Sequence, residues 1–169
     1  NYEKLPNLAV QPYLHQYLVD GSPTVSDVVI GNEWRTVLAS GMRSGGQGIF
    51  ALDVTDPSSF SEANAENIYL FEFSDEDDAD LGFTHSNITL AKVKVNAADY
   101  RWAAIFGNGY NNSQADGYAS SNGQASLFIV LLEGGTNGQW TLGSNYFKLS
   151  TGVGSTSTPN GLASPYAVD

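Results

Sequence analysis

The sequence predicts an all-β fold, a partial β-propeller made of two four-stranded antiparallel blades followed by the first strand of a third blade. Short runs of β-branched and aromatic residues alternate with glycine-rich turns, and the order of these runs occurs twice. No helix is indicated beyond a turn near residues 12–17. At 169 residues and 41% hydrophobic content, the chain is large and apolar enough to bury a core.

The first blade is predicted over residues 20–80, after a lead-in over residues 1–19. Its four strands are the runs at residues 24–30, 34–40, 48–54 and 68–74. These runs are rich in Val, Ile, Phe and Trp, which favour a pleated and half-buried surface. The run ALDVTDP (51–57) ends the third strand, and we interpret Asp53 and Asp56 as turn-capping residues whose carboxylates accept backbone amides.

The second blade is predicted over residues 81–158 because the same order of features returns. Its strands are the runs at residues 87–95, 101–107, 126–132 and 140–150. Matching positions in the two blades are Ser22 with Ser86, Trp34 with Trp102, and Ile49 with Leu127. The spacing between matches grows along the chain, which indicates a loop inserted at residues 108–124.

Residues 159–169 restart the pattern, since Ser164-Pro165 repeats Ser22-Pro23, and they predict the first strand of a third blade. The first residue is not Met, so we expect a fragment of a longer polypeptide. Two blades cannot close a ring. Their outer apolar faces are therefore expected to pack against the rest of a propeller.

Asn-Gly and Asp-Gly dipeptides recur along the chain and favour tight hairpin turns with positive φ. They begin at residues 20, 108, 116, 122, 137 and 160. Their repetition supports many short antiparallel strands.

The charge balance excludes some classes of partner. Eighteen acidic residues against seven basic ones give a net charge of −11, so a nucleic acid would be repelled and a cation or cationic partner attracted. No run is long enough for a membrane span, and there are no cysteines for disulfides or thiolate chemistry.

The run VDGSPTVSDVVIGNEWRTVLASGMRSGGQGIFALDVTDP (19–57) strongly resembles the C-terminal propeller of the type IV pilus PilC/PilY family. The resemblance continues through FSDEDDADLGFTHSNITLAKV (73–93), FGNGYNN (106–112) and PNGLASPYAVD (159–169), with PYLHQYLVDG (12–21) as lead-in. The resemblance therefore covers nearly the whole chain. At residues 125–150 the sequence has only the general pattern of strands and no specific motif.

This resemblance implies a non-enzymatic, exported protein of Gram-negative bacteria, located in the periplasm, at the outer membrane or on the pilus. The implied roles are pilus biogenesis, control of retraction, twitching motility and adhesion. The implied partners are pilin subunits, pilus tip proteins or a host-cell surface. The family also implies calcium binding in an aspartate-rich loop, of which Asp169 would be the first ligand.

The acidic run SDEDDADLG (74–82) offers a second candidate calcium site, with Asp75, Asp77 and Asp80 as ligands. The spacing fails the EF-hand pattern because the fifth position counted from Asp75 is Ala79. A solvated loop between blades is the alternative interpretation. No organic cofactor is expected.

The inserted loop is a candidate binding surface because long polar loops with tyrosines often carry contacts. Its candidate contact residues are Tyr110, Asn111, Asn112, Asp116 and Tyr118. A variable loop without a ligand is the alternative.

Two other functions stay open at this point. One is a quinoprotein-like propeller dehydrogenase, because ALDVTDP is similar to the repeat motif of quinone-dependent dehydrogenases. In this chain, however, Thr55 comes one residue too early and Asp56-Pro57 replaces the glycine of that motif. The other is a purely structural propeller fragment.

Overall fold

The computed structural model describes residues 2–135 and 137–168, which form two four-stranded antiparallel sheets. Each sheet follows chain order, β1-β2-β3-β4 and β5-β6-β7-β8. The first sheet consists of β1 Thr24–Ile30, β2 Glu33–Gly41, β3 Gly48–Asp53 and β4 Tyr69–Ser74. The second consists of β5 Thr89–Lys94, β6 Tyr100–Gly107, β7 Gln124–Leu131 and β8 Tyr146–Gly154. The all-β prediction with two blades is confirmed.

Helical structure is confined to short segments. The lead-in carries a 3-10 helix at Tyr2–Ala9, and the connection from β3 to β4 contains the one-turn helix α1 at Ala65–Ile68. Further 3-10 turns lie at Arg43–Gly45, Pro57–Ser59 and Glu62–Asn64. The turn expected at residues 12–17 does not form. None of the helices in the described ranges is long and apolar enough to cross a membrane.

The eighth strand departs most from the prediction. Seven strands lie within two residues of their predicted bounds, but β8 begins at Tyr146 instead of residue 140. Trp140 instead docks on the first sheet, where its indole N–H donates to the Glu72 carbonyl at 3.0 Å. Its ring packs edge-on against Phe71 and Phe73, with centroids 5.2 and 5.3 Å apart. Long-range packing therefore removes this segment from the strand that its composition predicts.

Four of the six predicted Asn-Gly and Asp-Gly dipeptides have a glycine with positive φ, but they lie in longer connections than expected. Gly109, Gly117, Gly123 and Gly138 all have positive φ, and all four lie in the loops that join β6 to β7 and β7 to β8. The connection from β1 to β2, in contrast, is a two-residue turn formed by Gly31 and Asn32, with φ of 60° and 68°.

The core lies between the two sheets. Each strand alternates its side chains between two faces, and one face of each sheet is turned to the other. The first sheet contributes Val28, Val37, Ile49, Phe71 and Phe73, and the second contributes Ala104, Phe106, Phe128, Val130 and Tyr146. The Phe73 ring is central, with centroids 5.0 Å from Tyr146 and 5.6 Å from Phe128. Burial of each such aromatic side chain contributes about 1.5–3 kcal/mol.

The register shows how the two blades repeat. Gly41 pairs with Ile49 in the first sheet and Gly107 pairs with Leu127 in the second, which supports the predicted match of Ile49 with Leu127. A Cβ on Gly41 would lie 2.5 Å from the Thr84 carbonyl oxygen, and one on Gly107 would lie 2.3 Å from that of Leu162. Both strands end in glycine because the segment that follows the last strand of the same sheet crosses them there. A larger side chain would collide with the backbone of that segment.

The same register corrects the predicted match of the two tryptophans. Counting back from Gly41 and Gly107, Trp34 occupies the position of Tyr100, two residues before Trp102. The sequence match was misleading because Arg101 lies between two aromatic residues, Tyr100 and Trp102, whereas its counterpart Arg35 follows a single one, Trp34.

The segment at residues 159–168 follows the second sheet. The Leu162 amide donates to the Asn108 Oδ1 at 2.9 Å, and the Asn87 amide donates to the Ser164 Oγ at 2.8 Å. Residues 159–168 form no paired strand within the described part of the chain. The start of a third blade stays a prediction, since strand formation there requires a partner strand.

Candidate binding loop and its buried anchor

Two connections meet at one end of the second sheet. One contains the acidic run at residues 74–82, between β4 and β5, and the other is the inserted loop at residues 108–124, between β6 and β7. The Gly82 amide donates to the Asn108 carbonyl and the Phe83 amide to the Tyr110 carbonyl, both at 2.8 Å. The acidic run therefore forms the base on which the inserted loop rests.

A buried ion cluster holds the acidic run against β8. Lys148 Nζ lies 2.7 Å from the Asp78 Oδ1 and 2.6 Å from the Asp80 Oδ2. The two aspartates are only 9% and 7% exposed. The Tyr146 hydroxyl donates to the other Asp78 oxygen at 2.9 Å. These residues form the Asp78–Lys148–Asp80 cluster, which ties the first blade's exit segment to the second blade's last strand.

The cluster is stabilised as an ion pair despite its burial. Burial acts to raise the pKa of Asp80, but hydrogen bonds from Lys148 and Ser120 outweigh it and lower that pKa. Burial likewise acts to lower the pKa of Lys148, and its bonds to Asp78 and Asp80 raise it instead. Burial, with the negative charge of Asp78, raises the pKa of the Tyr146 hydroxyl, which stays a donor.

Asp80 also anchors the inserted loop. Its side chain accepts hydrogen bonds from Ser120 Oγ and Asn122 Nδ2, and its carbonyl accepts from the Asn108 Nδ2 at 2.9 Å. The Asn112 Nδ2 donates to the same carbonyl at 3.2 Å. Both ends of the loop are therefore fixed to one buried residue.

The outer part of the loop is exposed, as predicted. Tyr110 is 51% exposed and Tyr118 is 43% exposed, and Asn111 and Asp116 are also exposed. The Tyr110 ring stacks on Phe83 with centroids 5.4 Å apart, which fixes the direction in which it projects.

Asn112 differs from the predicted contact residues. It is only 2% exposed because its amide is turned inward to the Asp80 and Gln124 carbonyls. It is therefore an anchor of the loop and not part of its contact surface. Its hydrophilic neighbours in the sequence gave no sign of this burial.

Asp75 and Asp77 form the less buried half of the acidic run. Gln47 Nε2 donates to the Asp75 Oδ2 at 3.3 Å and also to Asp116. Burial, followed by the charge of Asp116, raises the pKa of Asp75 to about 6. Asp77 accepts a hydrogen bond from the Ser74 amide at 2.9 Å, and burial raises its pKa.

The three aspartates predicted as calcium ligands therefore have different partners. Asp75 lies beside Gln47, Asp77 beside the Ser74 amide, and Asp80 beside Lys148. Within residues 2–135 and 137–168, no group of three or more Asp, Glu, His or Cys side chains could hold a metal ion. Asp169 lies outside the described residues, so its part in a calcium site stays a prediction. The alternative of a solvated loop is also wrong for Asp78 and Asp80, because both side chains are buried and paired with Lys148.

The predicted capping aspartates are confirmed. The Asp53 Oδ1 accepts the Thr55 amide at 3.0 Å, and the Asp56 Oδ1 accepts the Ser58 amide at 2.9 Å. Asp53 has a second contact that the sequence did not suggest, an ion pair with Arg35 at 2.8 Å.

Sequence reasoning missed Lys148 and Asn108, and it considered Asp78 only as one more acidic residue of the run. A signal for Lys148 was present, since it is the only Lys or Arg after Arg101 and it lies in the alternating run YFKLS. A lone cation on a strand next to apolar residues indicates a buried partner of opposite charge. Nothing in the sequence distinguishes Asp78 from its acidic neighbours.

Comparison with known proteins agrees with this architecture. The family model described as the PilY1 beta-propeller domain matches residues 1–169. A type IV pilus biogenesis factor PilY1 homolog of Xylella fastidiosa is 44% identical over 128 residues, covering 76% of this chain and 8% of the relative. The type IV pilus biogenesis factor PilY1 of Pseudomonas aeruginosa is 37% identical over 171 residues, covering 99% of this chain and 12% of the relative.

A solved structure of the same kind of protein also resembles this chain. The crystal structure of the Pseudomonas aeruginosa PilY1 C-terminal domain matches with a TM-score of 0.65 and 38% identity, covering 89% of this chain and 25% of that chain. This chain thus spans only a small part of the length of these relatives. With two blade-like sheets and a family model that matches from end to end, the chain belongs to the PilY1 β-propeller domain family of type IV pilus biogenesis factors.

Proposed function

We propose that this chain supplies two blades of a non-enzymatic propeller that acts in type IV pilus biogenesis by binding pilin subunits or pilus tip proteins at the cell envelope or surface. The observation that carries this proposal is the inserted loop, which presents Tyr110, Asp116 and Tyr118 to solvent while its ends are fixed to buried Asp80. A loop that is already ordered loses little conformational entropy on binding. Exposed tyrosines supply contact area at low entropic cost.

The charge of the chain supports a protein partner with a basic contact surface. A net charge of −11 attracts such a surface and repels nucleic acid. A host-cell surface that carries basic proteins is the second candidate partner, because it offers the same positive charge. Adhesion to it would use the same loop. Control of pilus retraction and twitching motility would then follow from the occupancy of this loop.

The proposal is tested by removing both exposed rings in the full-length protein. A Tyr110→Ala, Tyr118→Ala variant should bind purified pilin and minor pilins at least tenfold more weakly, and twitching should decrease in cells that carry it. Tyr13→Ala is the matched control, because Tyr13 is 49% exposed but lies in the lead-in. Unchanged affinity of the double variant would remove the loop from the proposal.

Calcium regulation is the finer part of the proposal, and it rests on the family resemblance and the acid surplus. An Asp75→Asn, Asp77→Asn variant of the full-length protein should change calcium uptake in calorimetry and should alter retraction while the fold stays intact. Calcium uptake equal to that of the wild type would exclude these two residues as ligands. Asp169 would then have to act with ligands elsewhere.

A further inference from the structure

A cleft of about 540 Å³ lies between the two sheets, at the end opposite the inserted loop. Val29 and the turn residues Gly31 and Asn32 line it on the first sheet, and Tyr100 and Trp102 line it at the start of β6. The inserted loop leaves the other end of that strand. Both walls belong to described residues of this chain, so the cleft forms without any further blade.

Most charged groups of this cleft already have a partner. The Gly31 amide donates to the Glu133 Oε1 at 2.8 Å, which ties the two blades together. The Arg101 Nε lies 3.0 Å from the Asp99 Oδ2, and this hydrogen bond, with the charges of Asp99 and Glu133, raises the pKa of Arg101. Lys92 also lines the cleft, is exposed, and forms no ion pair within the described ranges. It is therefore the cation that the cleft can offer to a ligand.

Trp102 supplies a second donor beside Lys92. The two residues are cross-strand neighbours on β5 and β6, and both line the cleft. The Trp102 Nε1 is buried, and it has no hydrogen-bond partner in the part of the chain that the structure describes. A buried N–H group without an acceptor is unfavourable. The pair thus combines an ammonium with an indole N–H and contains no acceptor.

The equivalent pair in the first blade contains the acceptor that this pair lacks. By the register described above, Thr36 is the counterpart of Trp102 and Asp27 is the counterpart of Lys92. In that pair the Thr36 Oγ1 donates to the Asp27 Oδ1 at 2.7 Å. The first blade therefore satisfies its donor with its own carboxylate, whereas in the second blade both members of the pair are donors.

We propose that this cleft binds a ligand with one carboxylate and an apolar body, and that the Lys92 ammonium and the Trp102 indole N–H hold the carboxylate. The ligand supplies the acceptor that Asp27 supplies in the first blade. The same chemistry is found in a small organic acid and in the C-terminal carboxylate of a polypeptide.

The rest of the lining favours a monoanion with an apolar body. Val29 and the Tyr100 ring offer apolar surface for the body, as in most small-molecule sites. Asp99 and Glu133 also line the cleft, and their negative charges repel a doubly charged phosphate more strongly than a single carboxylate. Inorganic phosphate should therefore bind more weakly than a carboxylate.

Calorimetry on the full-length protein tests the site with benzoate, a small carboxylate with an apolar body. Binding should saturate, and Lys92→Met and Trp102→Phe should each weaken it by about fivefold or more, because each removes one donor to the carboxylate. Lys94→Met is the matched control, since Lys94 is an exposed lysine on the same strand outside the lining of the cleft. It should bind benzoate as the wild type does.

Two peptide probes distinguish the source of the carboxylate. Acetyl-alanyl-phenylalanine with a free C-terminal carboxylate should bind, and its C-terminal amide should not. Tighter binding of this peptide than of benzoate would assign the site to a polypeptide C-terminus, and the reverse order would assign it to a small organic acid.

Three results would overturn the proposal. The first is no saturable binding of benzoate or of the free-acid peptide up to about 10 mM. The second is equal affinity of the wild type and Lys92→Met, a variant whose change at an exposed side chain leaves the fold intact. The third is binding of phosphate or of the peptide amide as tight as that of the carboxylates.

Discussion

The two halves of the acidic run differ in a way that composition does not reveal. Asp78 and Asp80 are buried and bound to Lys148, whereas Asp75 is half-buried and lies near Asp116, another acid. Asp80 is thus stabilised as an anion, whereas Asp75, a few positions earlier in the same run, is destabilised as an anion. The difference arises from β8, about 70 residues further along the chain, which brings its cation to one half alone.

The largest expected effect comes from removing that cation. Lys148→Met should reduce the free energy of unfolding of the complete propeller domain by about 3–5 kcal/mol, because two carboxylates would be left buried without a counter-charge. Denaturant titration measures the loss. Lys94→Met, a change at an exposed lysine, is the control. A loss below about 1 kcal/mol for Lys148→Met would mean that water solvates the two carboxylates in place of the lysine.

A smaller loss is expected from Asn108→Ala at the base of the inserted loop. The Asn108 side chain donates to the Asp80 and Gln124 carbonyls and accepts the Ser126 and Leu162 amides. Its removal leaves buried backbone groups unpaired, at a cost of about 2–3 kcal/mol. Hydrogen exchange should accelerate throughout residues 108–124. Gln114→Ala, at an exposed site in the same loop, should leave exchange near the buried anchor unchanged.

Asp75→Asn should have the opposite sign at neutral pH. Because the folded-state pKa of Asp75 is raised to about 6, the aspartate favours folding below the unfolded pKa, and that contribution is lost as the pH rises through about 6. Partial exposure limits the effect, so at pH 7.5 the variant should be more stable by about 1 kcal/mol. The gain should disappear below about pH 4, where both side chains are neutral. A gain independent of pH would contradict the titration of Asp75.

The smallest effect is expected from Asp116→Asn. Asp116 is exposed, so the free energy of unfolding should change by less than about 0.5 kcal/mol. The pKa of Asp75 should nevertheless fall, since Asp116 is one cause of its elevation, and an NMR titration of the carboxyl carbon measures the shift. An unchanged pKa would assign the elevation to burial and to the charge of Glu76.

The architecture was largely predictable because it depends on local patterns. Runs of β-branched residues and repeated turns placed seven strands within two residues of their observed bounds. Trp140 was misplaced because its docking on Phe71 and Phe73 is decided between sheets and not within its own segment. Asp53 and Asp56 were predictable because capping is a local interaction.

The site was predictable only at its surface. The sequence identified Tyr110 and Tyr118 as exposed loop residues, yet it grouped Asp75, Asp77 and Asp80 as one ligand set. Their separation depends on the distant Lys148, whose pairing no local pattern encodes. Asn112 was misassigned for the same reason, because its burial follows from the carbonyl of Asp80.

Trp140 has a mechanical consequence. Through the Glu72 carbonyl it fastens the outer edge of one blade to the body of the next, in addition to the aromatic core between the sheets. A force that pulls the two sheets apart would therefore be resisted both at the outer strand β4 and in the aromatic core. We expect the two sheets to move together as one rigid body.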